Sequence, residues 1–250
     1  MTRVAPAVRW IALCGLLVFA QAPGWAAPAR TKAKAEGWKR QVQAGINVTE
    51  GNTDATHTRA QLGAKGRGEG WEGEVKLRGE IGDVDGTRNR ERVLAEMRYQ
   101  DEWTPRAYLV YRMDFLYDAI ADIDYRVVAS PSFGYYLIRD PAQSLRGEAG
   151  PAAVLEDKGG EREAYPALRL AEFYEGRVTA NARILQGIEY LPELRTGDGT
   201  YLLNGFVELK ADLDAQLTLH VRLESKYDSD PADGKEKQDT TFSTSIGYTF

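Results

Sequence analysis

Charged side chains at alternate positions are the first candidates for chemistry in this 250-residue chain. Glu74, Lys76 and Arg78 stand two apart, as do Glu96 and Arg98, Arg146 and Glu148, Glu208 and Lys210, and the run His220, Arg222, Glu224. Arg112, Arg126 and Arg183 lie in stretches of the same kind, together with Asp114, Glu189 and Lys226. On an extended backbone successive side chains point to opposite faces, so residues two apart share one. A face this dense in both signs of charge is suited to lining an enclosed polar lumen. Its chemistry is then solute selection by charge in a channel, or a lattice of ion pairs filling an interior too narrow to conduct. Barrel size leaves both readings open, because about eight strands give a filled interior, sixteen or more an aqueous channel, and about twelve lie between.

Catalytic chemistry has thinner support. His57 and His220 both fall on the polar face. An outer-membrane lipid hydrolase needs a histidine beside a serine and an orienting carboxylate or amide; Ser225 and Ser243 are close to His220 in sequence, but no motif joins them. The one cysteine, Cys14, falls in the N-terminal apolar run, and no histidine pair stands at ligand spacing, so no metal site is assigned. The Asp-rich stretches 83–88, 118–124 and 228–239 fall short of a twelve-residue calcium loop and read as solvated loops. No glycine loop runs into a helix to cradle phosphate. The expectation is therefore no catalytic residue, no metal and no cofactor.

The elements that must carry these charges are strands. Over 216–227, Leu217, Leu219, Val221, Leu223 and Tyr227 take one face while Thr218, His220, Arg222, Glu224 and Lys226 take the other. The same phase recurs where Trp71, Val75, Leu77 and Ile81 oppose Glu72, Glu74, Lys76, Arg78 and Glu80, and where Leu109, Tyr111, Met113 and Phe115 oppose Tyr108, Arg112 and Asp114. Val178, Ala180, Ala182, Ile184, Ile188 and Tyr190 are read as one further apolar face. This alternation, with no helical period in the remainder of the chain, predicts an all-β fold: a closed antiparallel transmembrane barrel of about 12 strands. Short turns are expected at 66–70, 104–105, 139–142, 175–177 and near Asp214. Long loops are expected at 49–53, 83–88, 118–123, 157–161, 191–200 and 228–238. A soluble periplasmic β-protein binding an apolar ligand shows the same alternation strand by strand, its apolar faces packed together.

The N-terminus sets the expected compartment. Arg3 and Arg9 precede an apolar run over 10–20, and small residues follow at 23–27, the pattern of a cleaved signal peptide over 1–26. Its removal takes Arg3 and Arg9 and no acid, leaving 30 basic against 37 acidic residues, a formal charge of −7. That balance excludes nucleic acid as an expected partner. Residues 27–40 read as a basic lead-in and 41–250 as the barrel domain. Phe242, Ile246, Tyr248 and the final Phe250 share one face, the pattern of a signal for the outer-membrane assembly machinery. Outer-membrane lipid and lipopolysaccharide are the expected surroundings.

Several short motifs also carry a family likeness: Gly51, Asn52, Thr53 and Asp54 after the first strand; the strand from Tyr125, Arg126, Val127 and Val128 to Phe133, Gly134, Tyr135, Tyr136 and Leu137; Gly147 to Pro151 after it; and the closing Gly247, Tyr248, Thr249, Phe250. From about residue 41 onward the chain resembles the salt-induced outer-membrane protein family, the YdiY-like domain of unknown function. The resemblance implies an outer-membrane barrel with a passive envelope role, a narrow pore or a salt-stress barrel. It supplies no catalytic residue.

Overall fold

The computed structural model describes residues 36–49, 55–195 and 199–250. The signal peptide, most of the basic lead-in and the Gly51 to Asp54 motif lie outside the described residues. The chain runs through β1 (Glu36–Thr49), β2 (Ala55–Gly68), β3 (Trp71–Val84), β4 (Thr87–Glu102), β5 (Ala107–Asp118), β6 (Ile123–Arg139), β7 (Gln143–Lys158), β8 (Glu161–Arg177), β9 (Ala182–Pro192), β10 (Tyr201–Asp212), β11 (Leu217–Asp228) and β12 (Gln238–Thr249). Each strand pairs antiparallel with the next, and β1 pairs with β12, so the sheet closes as a barrel of 12 strands. The closing rungs are Gln41↔Thr249, Val42↔Tyr248, Gln43↔Gly247 and Ala44↔Ile246, extended by reciprocal backbone bonds between Arg40 and Phe250. β1 begins at Glu36, so the end of the lead-in is strand.

Period two decides what is inside. Val42, Leu62, Leu77, Met97, Met113 and Phe133 point outward and are exposed, whereas Gln61, Arg78, Gln100, Glu148, Arg169 and His220 point inward and are buried. The apolar faces therefore do not pack on one another as in a sandwich. They form an outer belt, which only hydrocarbon covers without cost. Closure is what makes such a belt tolerable, since an open edge in lipid leaves backbone groups unpaired at several kcal/mol each.

Rings bound the belt at both ends. At the end carrying the C-terminus, Trp38, Trp71, Tyr99 and Tyr111 follow one another at 6.2, 6.3 and 6.4 Å, and Tyr248 stacks on Phe250 at 6.2 Å. At the far end Tyr190, Tyr201 and Tyr227 follow at 5.4 and 5.6 Å.

Three turns at the C-terminal end share one chemistry. Thr104 Oγ1 accepts from the N–H of Arg106 and Ala107, Asp140 Oδ1 from Ala142 and Gln143, and Asp214 Oδ1 from Gln216 and Leu217. Those backbone donors hold the Asp214 carboxyl below its ordinary range. Trp103, Val178 and Leu213 each lead a turn of this end and are exposed there, where a ring or branched chain sits at the membrane surface.

Four expectations change. Residues 83–88, 118–123 and 157–161 are not long loops, and at the second of these β5 runs to Asp118 and β6 starts at Ile123, leaving a four-residue turn. Asp85 and Gly86, at φ 49° and 74°, and Gly159 and Gly160, at 61° and 78°, form two-residue hairpin turns between the long strands β3 to β4 and β7 to β8. Positive φ at both central positions matches the twist of the flanking strands, and Asp-Gly and Gly-Gly supply it. Val178 and Ala180 lie in the turn after β8 rather than on a strand, the chain reversing at 178–181 instead of 175–177. Only 193–200 and 229–237 make extended connections among the described residues.

Candidate functional site

The inward charges form lattices that cross the lumen. Arg78 on β3 donates to Gln61 Oε1 at 3.1 Å and to Glu224 Oε2 on β11 at 3.3 Å, spanning the space before β2, β1 and β12. Glu224 also accepts from Arg222 Nε at 3.0 Å, and Arg222 Nη1 donates to Glu208 Oε2 at 2.9 Å. Glu208 Oε1 lies 2.7 Å from His220 Nδ1, whose ring continues to Gln43 through Nε2 at 3.2 Å. A second lattice centres on Glu148. It accepts from Arg98 Nη2, Arg169 Nη1 and the Tyr108 hydroxyl, each at 2.9 Å, with Arg146 at 3.6 Å. Arg169 is 1% exposed and Glu148 3%, so these charges have left water and are held by one another.

Glu74 and Lys76 pair at 3.1 Å, and Lys210 stands 3.9 Å from Glu208. Arg183 sits apart at the rim of the C-terminal end, 3.4 Å from Glu175 and 3.7 Å from Asp212. Arg112 pairs with Asp114 at 2.6 Å and with Glu96 at 3.9 Å. Arg126 binds Glu156 beside it and reaches Asp228 on β11 at 2.7 Å.

Space remains between the lattices. A cavity of about 570 Å³ opens at the C-terminal end and is lined by Lys39, Lys65, Glu74, Arg146 and Lys210 among others. A second, of about 170 Å³, lies toward the far end beneath the 229–237 connection. Both are bounded by Glu96, Arg112, Glu189 and Asn204, so one thin layer separates them. At the far end the 229–237 segment folds inward: Ala232 is buried, Lys158 Nζ binds the Asp230 carbonyl, and Lys237 Nζ donates to Ser229 O at 2.8 Å.

The inner wall is not charged throughout. Val128, Ala152, Val154, Ala167, Leu191 and Leu202 form an apolar cluster facing the lumen, with Tyr165 packed against it. Leu94, Leu116 and Ile123 face the same smaller cavity. Reading charges alone missed these residues, yet the signal is there: Leu94 falls in phase with Arg92 and Glu96, and Val128 with Arg126 and Ser130.

Ser225 and Ser243 hydrogen-bond to partners other than a histidine. Ser243 Oγ accepts from Arg59 at 2.8 Å, and Ser225 bonds Thr240 and Gln238. The bonds His220 makes are to Glu208 and Gln43. The arrangement holds charge against charge around open space, and Ser225 and Ser243 are not set as nucleophiles by His220.

Fold and lumen together define a transmembrane barrel of the outer-membrane type. The same fold is seen in an outer-membrane channel from Pseudomonas putida F1, at a TM-score of 0.52 and 11% identity over 90% of this chain and 100% of that one. The NanC porin matches at 0.50 and 8% identity over 84% of this chain and 97% of that one. At these identities the likeness is one of fold. The sequence model of the family described as protein of unknown function DUF481 matches residues 42–250, and the chain belongs to that family. No curated protein matches it in sequence.

Proposed function

We propose that the protein is a narrow pore of the Gram-negative outer membrane, gated within its lumen by the layer at Arg112. The observation carrying this reading is the stacking of two cavities along one lumen with shared walls at Glu96, Arg112, Glu189 and Asn204. A lattice filling the interior for stability alone has no need of a cavity on each side of a single ionic layer. The inward charges at Glu74, Lys76, Arg78, Arg98, Arg146, Glu148, Glu208, Lys210, Arg222 and Glu224 line the passage and fix its width, while Arg126 and Asp228 tie the mouth segment to the wall. Selectivity then comes from groups at close quarters. The reading is of a binding and conducting protein, not an enzyme.

In the same reading, residues 1–26 direct export and are removed. The face bearing Phe242, Ile246, Tyr248 and Phe250 is the one the assembly machinery takes up. Both termini of the mature chain lie on the periplasmic side, and the 229–237 segment faces outward toward lipopolysaccharide.

Conductance of the purified, refolded protein in planar bilayers tests the pore. The wild type is expected to pass small ions with low unitary conductance, and Arg112→Ala to raise it several-fold by opening the dividing layer. Bilayers holding folded protein that stay silent for wild type and Arg112→Ala alike would remove the pore reading.

A further inference from the structure

On its outward side the belt is built of aliphatic, aromatic, small and hydroxyl side chains, with an exception on β8 and β9. Glu172 pairs with Gly147 on β7 and with Ile188 on β9, and Leu170 and Tyr174 are its neighbours two places along β8. Period two turns these three outward, opposite in phase to Arg169 and Phe173, which face the lumen. Gln186, paired with Tyr174 and Val207, is outward by the same count. Near mid-belt no other outward position of the described strands holds an ionised or amide side chain.

The carboxylate is deep. Glu172 stands six residues before Val178, in the turn at the C-terminal end, which is roughly 15 Å of height on a strand tilted about 40°, in a belt about 25 Å tall. Among the described residues no hydrogen bond or ion pair holds Glu172, and Gln186 is 7% exposed with its amide unbonded. The Tyr174 hydroxyl lies 3.5 Å from Gln143 Oε1 instead. Polar groups of this kind are costly against hydrocarbon and persist where something other than lipid covers them.

On β7 the outward positions beside Glu172 are Gly147, Ala149, Pro151 and Ala153, the last three exposed. No long chain of the same wall folds over the carboxylate from that side, and a second wall can come close. The chemistry of the pair selects what that wall is. An ionised carboxylate only accepts hydrogen bonds, and an amide nitrogen supplies two donors. A two-fold axis along the membrane normal, passing between β8 and β9, sets β8 of one copy against β9 of the other at equal depth. Glu172 of each copy then accepts from Gln186 of the other, so a single operation answers both groups twice. Such self-complementarity is what an isologous interface requires.

We propose that the outer face of β8 and β9 is the interface of a homodimer within the membrane, held at mid-depth by reciprocal hydrogen bonds between Glu172 and Gln186. Each barrel keeps its own lumen, so the inference does not rest on the pore reading. Protein that is silent in planar bilayers would still dimerise.

Sedimentation equilibrium of the refolded protein in density-matched detergent micelles tests it. The wild type is expected to form a reversible dimer. Each residue is used twice in that dimer, so Glu172→Leu or Gln186→Leu is expected to raise the dissociation constant at least about tenfold. Both variants should fold, shown by heat-shifted mobility on a gel, because an apolar chain suits the belt. Gln186→Glu sets carboxylate against carboxylate and should leave only monomer. Adding Glu172→Gln to it returns acceptor and donor in exchanged places and the dimer with them, a rescue that damage to one barrel alone does not give. A wild type that stays monomeric at every concentration overturns the interface. So does a dimer that dissociates equally in the wild type and both leucine variants, or an exchanged pair that stays monomeric. A monomer that binds added lipopolysaccharide and loses it in Glu172→Leu overturns it likewise and gives the surface to lipid.

Discussion

Removing the Glu148 carboxylate is expected to cost more than any other single change to the lumen. The side chain of Glu148 is shut off from solvent and accepts from Arg98, Arg169 and Tyr108 at 2.9 Å. Taking away one partner of a buried ion pair typically costs about 3–5 kcal/mol, because the remaining charge has neither water nor a counterion. Two arginines lose their acceptor here, which pushes the loss up. Arg169 keeps Glu189 at 2.5 Å and Arg98 keeps Gln100 at 2.7 Å, which pulls it back, so Glu148→Ala should fall at about 3–5 kcal/mol. Adding Arg169→Met should recover part of the loss, since an apolar chain of similar length removes the orphaned charge. Lys76→Ala supplies the contrast: Lys76 and its partner Glu74 are about a third exposed and water takes over the pairing, so the cost should stay within about 1 kcal/mol. Urea unfolding of the refolded protein in lipid vesicles, followed by tryptophan emission and gel mobility, measures the wild type and all three variants. If Glu148→Ala and Lys76→Ala unfold at the same urea concentration, the lattice around Glu148 is hydrated and the reasoning fails.

The assigned faces and contacts give further expectations. Leu77→Arg places a charge on the belt between Leu62 and Ala95 and should cost about 2–4 kcal/mol near the midplane, read as lost folded fraction in the same vesicles. Gly150→Ala drives a methyl group to 2.2 Å from the Pro131 carbonyl and 2.6 Å from the Ser132 Cα, backbone that cannot yield, and should lose about 1–3 kcal/mol. Gly79→Ala meets nothing within 4 Å and should be neutral or mildly stabilising by the same unfolding assay. Thr104→Val removes the acceptor for two turn N–H groups and should cost about 1 kcal/mol, again by urea midpoint.

The facing of nearly every strand was legible because period two is a property of the backbone itself: Leu217 to Tyr227 cannot alternate apolar and charged without presenting two chemistries to two sides. What the turns do was legible only in part. Asp85-Gly86 and Gly159-Gly160 carry the composition of two-residue hairpins, but their flanks are rich in Asp, Glu, Lys and Arg, and a charged flank looks like a loop until the register shows Asp83↔Arg88 and Lys158↔Glu161 as rungs. The strands there run on past the belt into water, where charged residues suit both faces. The lumen lattice was legible as a set of residues and not as a set of partners. Arg78 and Glu224 are joined by the closure of the sheet, and Arg126 and Asp228 by the width of the barrel; neither distance is written in local sequence. The rung missing at Pro192 was equally hidden, because a proline alone is an ordinary strand-edge residue and only the pairing sets it opposite Leu168.

The two chemistries inside the barrel explain each other. A lumen lined by charge alone can be held closed by ion pairs, as around Glu148, but it has no affinity for anything that water does not already solvate. A lumen lined by apolar groups alone would collapse onto itself or trap its contents. In this chain the apolar wall of Val128, Val154, Leu191 and Leu202 covers β6, β7, β9 and β10 toward the far end, and the pairs Arg92 with Asp118 and Asp239 stand opposite on β4, β5 and β12. An apolar wall facing paired charges gives one lumen both a surface for apolar groups and a lattice that fixes its width.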